Sequence, residues 1–262
     1  MTSAEFSSLP LLPVLLQSVE SLGYQQMTSI QQQSLPAMLA GKDVLAKSKT
    51  GSGKTAAFGL ALLSKIDPLV YKTQALVLCP TRELAEQVSK EIRALARFMA
   101  NVKLLTLCGG SPIIHQVNSL EQAPHIVVGT TGRIMDHLNR NTLCLDDINV
   151  LVLDEADRML DMGFLPDLQR IISLIPAQRQ TLLFSATFSP EIKKLAQSYL
   201  RDPVTIEVAR QNAAADTVRQ VIHMVPSERK KDAVVKVLNA RIQQGLSRQA
   251  IVFTNSRIGC SK

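Results

Sequence analysis

The four cysteines, Cys79, Cys108, Cys144 and Cys260, form no C-x-x-C pair, and none lies near a histidine at zinc-ligand spacing. That excludes a zinc ribbon and a dithiol redox motif. No apolar run approaches the ~18 residues of a membrane span. The opening MTSAEFSSLP lacks the basic segment and apolar core of a signal peptide. There is no tandem repeat and no low-complexity tract. Cys79 and Cys108 sit in apolar, strand-like runs, where a free cysteine acts as a small hydrophobe. These absences predict a soluble chain of a reducing cytoplasm.

The 262 residues are 46% hydrophobic and 19% charged, enough to bury a full core and unlike a disordered chain. At roughly 100–200 residues per domain, the length predicts one complete domain and part of another. Lysine and arginine number 29 against 22 acidic residues, a formal charge of +7. A basic balance suits a polyanionic partner, and equally suits plain solubility.

Short apolar runs recur at Asp43–Ala46, Ala75–Cys79, Lys103–Cys108, His125–Gly129, Val150–Asp154, Thr181–Phe184 and Val204–Val208. Several are apolar on both faces, as buried parallel strands are. Amphipathic stretches such as Arg82–Met99 and Ile192–Leu200 lie between them. The alternation predicts an α/β fold with a central, mostly parallel sheet flanked by helices. Ligands of such folds sit beyond the carboxyl ends of the strands. A small, polar stretch at 209–218 reads as a linker, with residues 1–208 before it as the first domain. Residues 219–262 then read as the start of a second domain in a βαβ pattern: strand Gln220–Val225, helix Lys230–Gln244, strand Ala250–Thr254.

Two sets of residues carry chemistry. Ser48-Lys49-Thr50-Gly51-Ser52-Gly53-Lys54-Thr55 lies between a strand and a helix beginning near Thr55. Glycine-rich backbone there can turn N–H groups onto phosphate at a helix N-terminus, Lys54 can reach the β/γ-phosphates, and the Thr55 hydroxyl can ligate Mg²⁺. Ser48 stands where the general pattern has glycine. A plain glycine-rich turn explains the glycines but not Gly-Lys-Thr at the mouth of a helix. The second set is Asp154-Glu155-Ala156-Asp157, closing an apolar strand 100 residues after Lys54. Asp154 can hold the metal and Glu155 can act on the attacking water. Four such letters alone are a solvated turn; at the tip of a buried strand in this order they are a catalytic pair.

This set resembles the DEAD-box branch of superfamily 2 helicases, from Phe6 to about Arg257, and its wording at Thr73–Leu84 and Leu105–Gly110 is close to the bacterial DbpA type. The resemblance implies a RecA-like P-loop domain followed by an incomplete second one, ATP and Mg²⁺ as cofactors, and single-stranded RNA or a short duplex as partner. Gly23-Tyr24 with Thr28 and Gln31 resembles the Q motif, although Met27 replaces its usual proline; Gln31 would read adenine, with Phe6 and Tyr24 packing near the base. Thr81 and Arg82 fall in motif Ia, Gly109 and Gly110 in the GG motif, Thr130, Gly132 and Arg133 in motif Ib, where Thr131 replaces proline. These seven would form one wall of a single-strand groove that grips phosphates without reading sequence. Ser185-Ala186-Thr187 resembles motif III, coupling Asp157 to domain closure, and Val252–Arg257 resembles motif IV.

Taken singly, Thr81 and Thr130 are helix caps, Arg82 a surface cation and Phe6 core filling. The four histidines match no pattern and are expected to be structural. The DbpA-type wording implies a role on large-subunit ribosomal RNA. The mechanism implied is RNA-dependent ATP hydrolysis coupled to local duplex opening, with the isolated 262-residue chain nearly inactive. Two other readings stand beside it: a DNA-dependent P-loop ATPase, and a non-enzymatic RNA- or nucleotide-binding module.

Overall fold

The computed structural model describes residues 5–49, 51–208, 221–245 and 250–252. The chain divides into two units, Met1–Ala209 and Arg210–Lys262.

The first unit is a seven-stranded sheet with every pairing parallel. Its strands are β1 (Val44–Lys47), β2 (Ala75–Cys79), β3 (Leu104–Leu107), β4 (Ile126–Thr130), β5 (Val150–Leu153), β6 (Gln180–Ser185) and β7 (Val204–Glu207). They lie in the order β3-β4-β2-β5-β6-β1-β7. All seven apolar runs therefore become strands, with each bound differing by at most one residue. The helices are α1 (Pro13–Ser21), α2 (Ser29–Leu39), α3 (Lys54–Leu63), α4 (Arg82–Leu95), α5 (Ile113–Leu120), α6 (Thr131–Asn139), α7 (Ala156–Asp161), α8 (Leu165–Ser173) and α9 (Pro190–Tyr199).

The sheet separates two cores, and side-chain alternation assigns every strand except the edge strand β7 to both. Val77, Val152, Leu182 and Phe184 point into one core with α1–α4. Leu76, Leu78, Leu151, Leu153 and Leu183 point into the other with α6, α8 and α9. All ten residues of α3 are buried, and beyond Lys54 and Thr55 in its first turn the helix is apolar all round, as a helix enclosed by protein must be. Gly59 lets α4 approach it: a Cβ there would lie 2.9 Å from Leu95 Cδ1. Ser189 accepts a hydrogen bond from Ile192 N–H and starts α9 two residues before the apolar pattern does.

The second unit contains α10 (Lys230–Gln243), matching the expected helix, and none of its residues is buried. The expected flanking strands are not found: residues 221–226 and 250–252 carry no strand. Ile222 and Met224 are 89% and 96% exposed. With no buried residue in α10, the described part of this unit has no core of its own against which strands could pack. The expected linker at 209–218, and the motif IV residues after Val252, lie outside the described residues.

Candidate active site

The carboxyl edge of the first unit's sheet collects nearly every residue singled out from sequence. Along the strand order, that edge carries Gly109 after β3, Thr130 ending β4, Thr81 after β2, Asp154 after β5, Ser185 ending β6 and Ser48 after β1. One flank therefore holds the three groove motifs and the other holds the P-loop, with the Asp154 strand between them.

The P-loop flank is built around a buried ion cluster. Lys54 Nζ lies 2.7 Å from Asp154 Oδ1 and 3.4 Å from Glu155 Oε1. Asp154 has no exposed surface, and neither of its carboxylate oxygens accepts a well-aligned hydrogen bond among the described residues. Burial pushes the Asp154 carboxyl above the ordinary carboxylate range; Lys54 opposes that rise and Glu155 adds to it. Glu155 adopts a left-handed backbone (φ 53°) as it turns from β5 into α7, and its second oxygen takes Arg158 Nη1 at 3.0 Å. The buried Asp154 carboxylate after β5 and the Thr55 hydroxyl in the first turn of α3 offer hard oxygen donors. They fit Mg²⁺, which takes one or two protein ligands and keeps the rest as water or phosphate.

The loop itself is shaped for close backbone approach. Gly51 and Gly53 have φ of +81° and +88°. A Cβ on Gly53 would meet Gln31 Nε2 at 2.7 Å and Thr28 Oγ1 at 3.0 Å. Gln31 donates to Gly53 O (3.0 Å) and accepts from Thr28 N–H (2.8 Å), tying the start of α2 to the phosphate loop. The hydroxyls of Ser48 and Ser52 are buried without a hydrogen-bond partner among the described residues. Thr50 lies outside those residues. Phe6 is buried in the core and its ring stacks with that of the half-buried Tyr24, centroids 6.4 Å apart. Burial, then the Glu91 charge, raise the Tyr24 phenol. Glu91 on α4 was not foreseen: burial raises its carboxyl against hydrogen bonds from the Thr55 hydroxyl and the Ala56 backbone.

Motif III packs as a bridge. Asp157 Oδ2 accepts from Ala186 N–H (3.2 Å) and from the Thr187 hydroxyl (3.1 Å), and Ser185 Oγ accepts from Thr187 N–H (3.3 Å). The helix after β5 is thus locked to the end of β6.

On the other flank, Thr81, Arg82, Gly109, Thr130, Gly132 and Arg133 line one open cleft of about 480 Å³, with Met162 and Phe164 as apolar wall. Thr81 also caps α4, accepting from Leu84 N–H at 3.3 Å, whereas Thr130 makes no side-chain cap. Arg82 pairs with Glu86 at 2.8 Å and stays half-exposed. Gly110, with φ +88°, leaves it room: a Cβ there would fall 2.1 Å from Arg82 Nη1. Arg133 is largely committed to its surroundings, donating to Ser111 O and Gln116 Oε1. No group of three or more metal-ligating side chains occurs among the described residues, and no helix among them is long and apolar enough to cross a membrane.

Comparison with known proteins agrees with this geometry. Residues 28–195 match the family described as DEAD/DEAH box helicase. The ATP-dependent RNA helicase DbpA of Escherichia coli is 50% identical over 256 residues, covering 97% of this chain and 55% of the relative. The ATP-dependent RNA helicase CshA of Listeria monocytogenes is 42% identical over 253 residues, 97% of this chain and 48% of the relative. The chain thus spans about half the length of these curated relatives. A crystal structure of a DEAD box protein from the hyperthermophile Methanococcus jannaschii superposes with a TM-score of 0.75 at 36% identity, covering 89% of this chain and 63% of that one. The chain belongs to the DEAD/DEAH box helicase family.

Proposed function

We propose that this chain is the nucleotide-binding half of an ATP-dependent RNA helicase, in which RNA-stimulated ATP hydrolysis is coupled to local duplex opening. The observation that carries this reading is the order along one sheet edge: the cleft with Arg82 and Arg133, the Asp154–Glu155 turn, the motif III bridge and the P-loop stand side by side.

In this reading residues 1–208 form the ATP-binding domain, 209–218 a linker, and 219–262 the opening of a second RecA-like domain. The 51–53 backbone and Thr50 cradle phosphates at the start of α3, and Lys54 leaves its carboxylate partners for the β/γ-phosphates. Thr55 and Asp154 hold Mg²⁺, which when bound neutralises charge on the phosphoryl oxygens. Glu155 orients and deprotonates the attacking water. Gln31 keeps one donor and one lone pair for adenine, while Phe6 and Tyr24 set the wall beside the base. Thr81, Arg82, Gly109, Gly110, Thr130, Gly132 and Arg133 hold single-stranded RNA by its phosphates. Asp157, Ser185 and Thr187 couple the two flanks. The DbpA-type resemblance points the substrate towards large-subunit ribosomal RNA. Alone, the chain binds nucleotide with little turnover, because charge on the transferring phosphoryl group also calls for arginines of a second domain, worth ~10³–10⁵ in related NTPases.

The test is RNA affinity of Arg82→Ala against wild type, with fluorescent ADP binding as control. A loss of RNA affinity with ADP binding intact supports the groove; equal RNA affinity in both proteins removes it.

A further inference from the structure

Behind the cleft lies a buried polar network that the sequence motifs do not contain. Gln116 on α5 and His137 on α6 are both buried, His137 completely. Gln116 Oε1 receives two donors, His137 Nε2 at 3.0 Å and Arg133 Nη1 at 3.1 Å. Its amide nitrogen donates to Cys108 O (2.9 Å) and Ser111 Oγ (3.1 Å), the residues on either side of Gly109-Gly110. Arg133 donates from both terminal nitrogens to Ser111 O at 3.2 Å. One amide therefore fixes both ends of the glycine pair and one arm of the groove arginine.

The hydrogen-bond inventory fixes the histidine as well. Gln116 Oε1 can only accept, so His137 Nε2 must carry a proton. In the neutral ring His137 Nδ1, 2.8 Å from Thr142 Oγ1, then shares that hydroxyl's single proton with the His137 carbonyl oxygen at 3.2 Å. Arg133 on one side and the Cys108 carbonyl on the other orient the Gln116 amide, and the imidazole N–H reinforces that orientation: were the amide flipped, its NH₂ would face the donor Arg133 and its oxygen would face the Cys108 carbonyl. Two consecutive glycines are conformationally permissive, so a loop built on them needs such anchoring to present backbone N–H groups in one geometry.

We infer that Gln116 and His137 are positioning residues for RNA binding: they hold the Gly109–Gly110 turn and Arg133 in the phosphate-gripping arrangement without touching RNA themselves. The inference rests on the groove reading above. A predetermined loop avoids ordering cost on binding, and losing one or two such buried bonds corresponds to about five- to tenfold in affinity.

The experiment titrates a fluorescein-labelled oligouridine with the full chain at low salt, following anisotropy, with fluorescent ADP binding measured in parallel. Gln116→Leu and His137→Phe should each weaken RNA binding about tenfold while leaving ADP affinity within about twofold. The double variant should lose no more than the worse single one, because the two act through one network. His137→Gln, which restores a donor to Gln116 Oε1, should recover most of the loss. Normal RNA affinity in Gln116→Leu, alongside a weakened Arg82→Ala, overturns the positioning role and leaves the groove standing. Unchanged affinity in both, or no RNA binding by wild type, removes the groove reading and this inference with it. Should His137→Phe also lose ADP binding, Thr142→Val, which deletes the hydroxyl's bonds to the His137 ring and carbonyl, replaces it: a two- to threefold RNA-specific loss supports the role and no loss overturns it.

Discussion

Lys54→Met isolates the physics of the P-loop cluster. The substitution keeps an unbranched stem of similar length and removes the one cation within ion-pair distance of Asp154 among the described residues. Asp154 and Glu155 stay buried, and Glu155 keeps Arg158 at 3.0 Å, so the orphaned charge is chiefly Asp154. Removing one partner of a buried pair costs about 3–5 kcal/mol. Protonation caps the loss: a carboxyl of ordinary acidity costs about 4 kcal/mol to neutralise near pH 7, and Asp154, already pushed up by burial, costs less. A loss of roughly 3 kcal/mol near neutral pH follows, or about 6–12 °C in Tm for a domain of this size. The sign with pH is defined. In the variant Asp154 binds its proton more tightly folded than unfolded, so the deficit is largest at neutral pH and shrinks as pH falls towards 5. Lys54→Met/Asp154→Asn, which removes both charges, should recover more than half of the loss. Thermal unfolding without nucleotide, followed by circular dichroism at about pH 7 and about pH 5, reads all three. A Lys54→Met loss under ~2 °C, or one that grows on acidification, refutes the account of Asp154 as a buried carboxylate held by Lys54.

Gly53→Ala places a methyl 2.7 Å from Gln31 Nε2 at a φ of +88°. It should weaken ADP binding at least tenfold while lowering Tm by only a few degrees, since backbone strain of about 1–2 kcal/mol falls on the phosphate loop itself. Gly129→Ala sets a Cβ 2.6 Å from the Leu107 carbonyl in the neighbouring strand; it should cost about 1–3 kcal/mol in urea denaturation with nucleotide affinity little changed. Burial lowers the pKa of His125, helped by Lys103, and of His137, helped by Arg133. The unfolded chain then binds more protons, so stability should fall as pH drops below about 6.5, and His137→Gln should flatten that slope.

What the sequence made legible follows from how each feature is encoded. The seven strands could be read because they are buried on both faces and contiguous in composition; Val150–Leu153, for instance, is VLVL with four buried side chains. Their order in space could not, because pairings such as β1 with β6 join residues far apart in the chain. The end of α4 was misplaced: its apolar spacing runs on through Phe98 and Met99, but the helix stops at Leu95. The meeting of the motif residues at one sheet edge was also legible, since each ends or follows a strand, and the cleft gathers six of the seven residues expected to bind RNA. Gln116, His137 and Glu91 escaped because their partners lie on other elements and no spacing connects them. In the second unit the helix was legible, but the strands expected on either side of it are not present in residues 221–226 and 250–252.

The most direct test of the central claim is ATP hydrolysis with and without single-stranded RNA, on this chain and on one extended to the length of its relatives, each also as Glu155→Gln. The account predicts RNA-stimulated turnover only in the extended chain, and nucleotide binding without turnover in its Glu155→Gln form. Hydrolysis by the extended chain that ignores RNA, or survives Glu155→Gln undiminished, would contradict it.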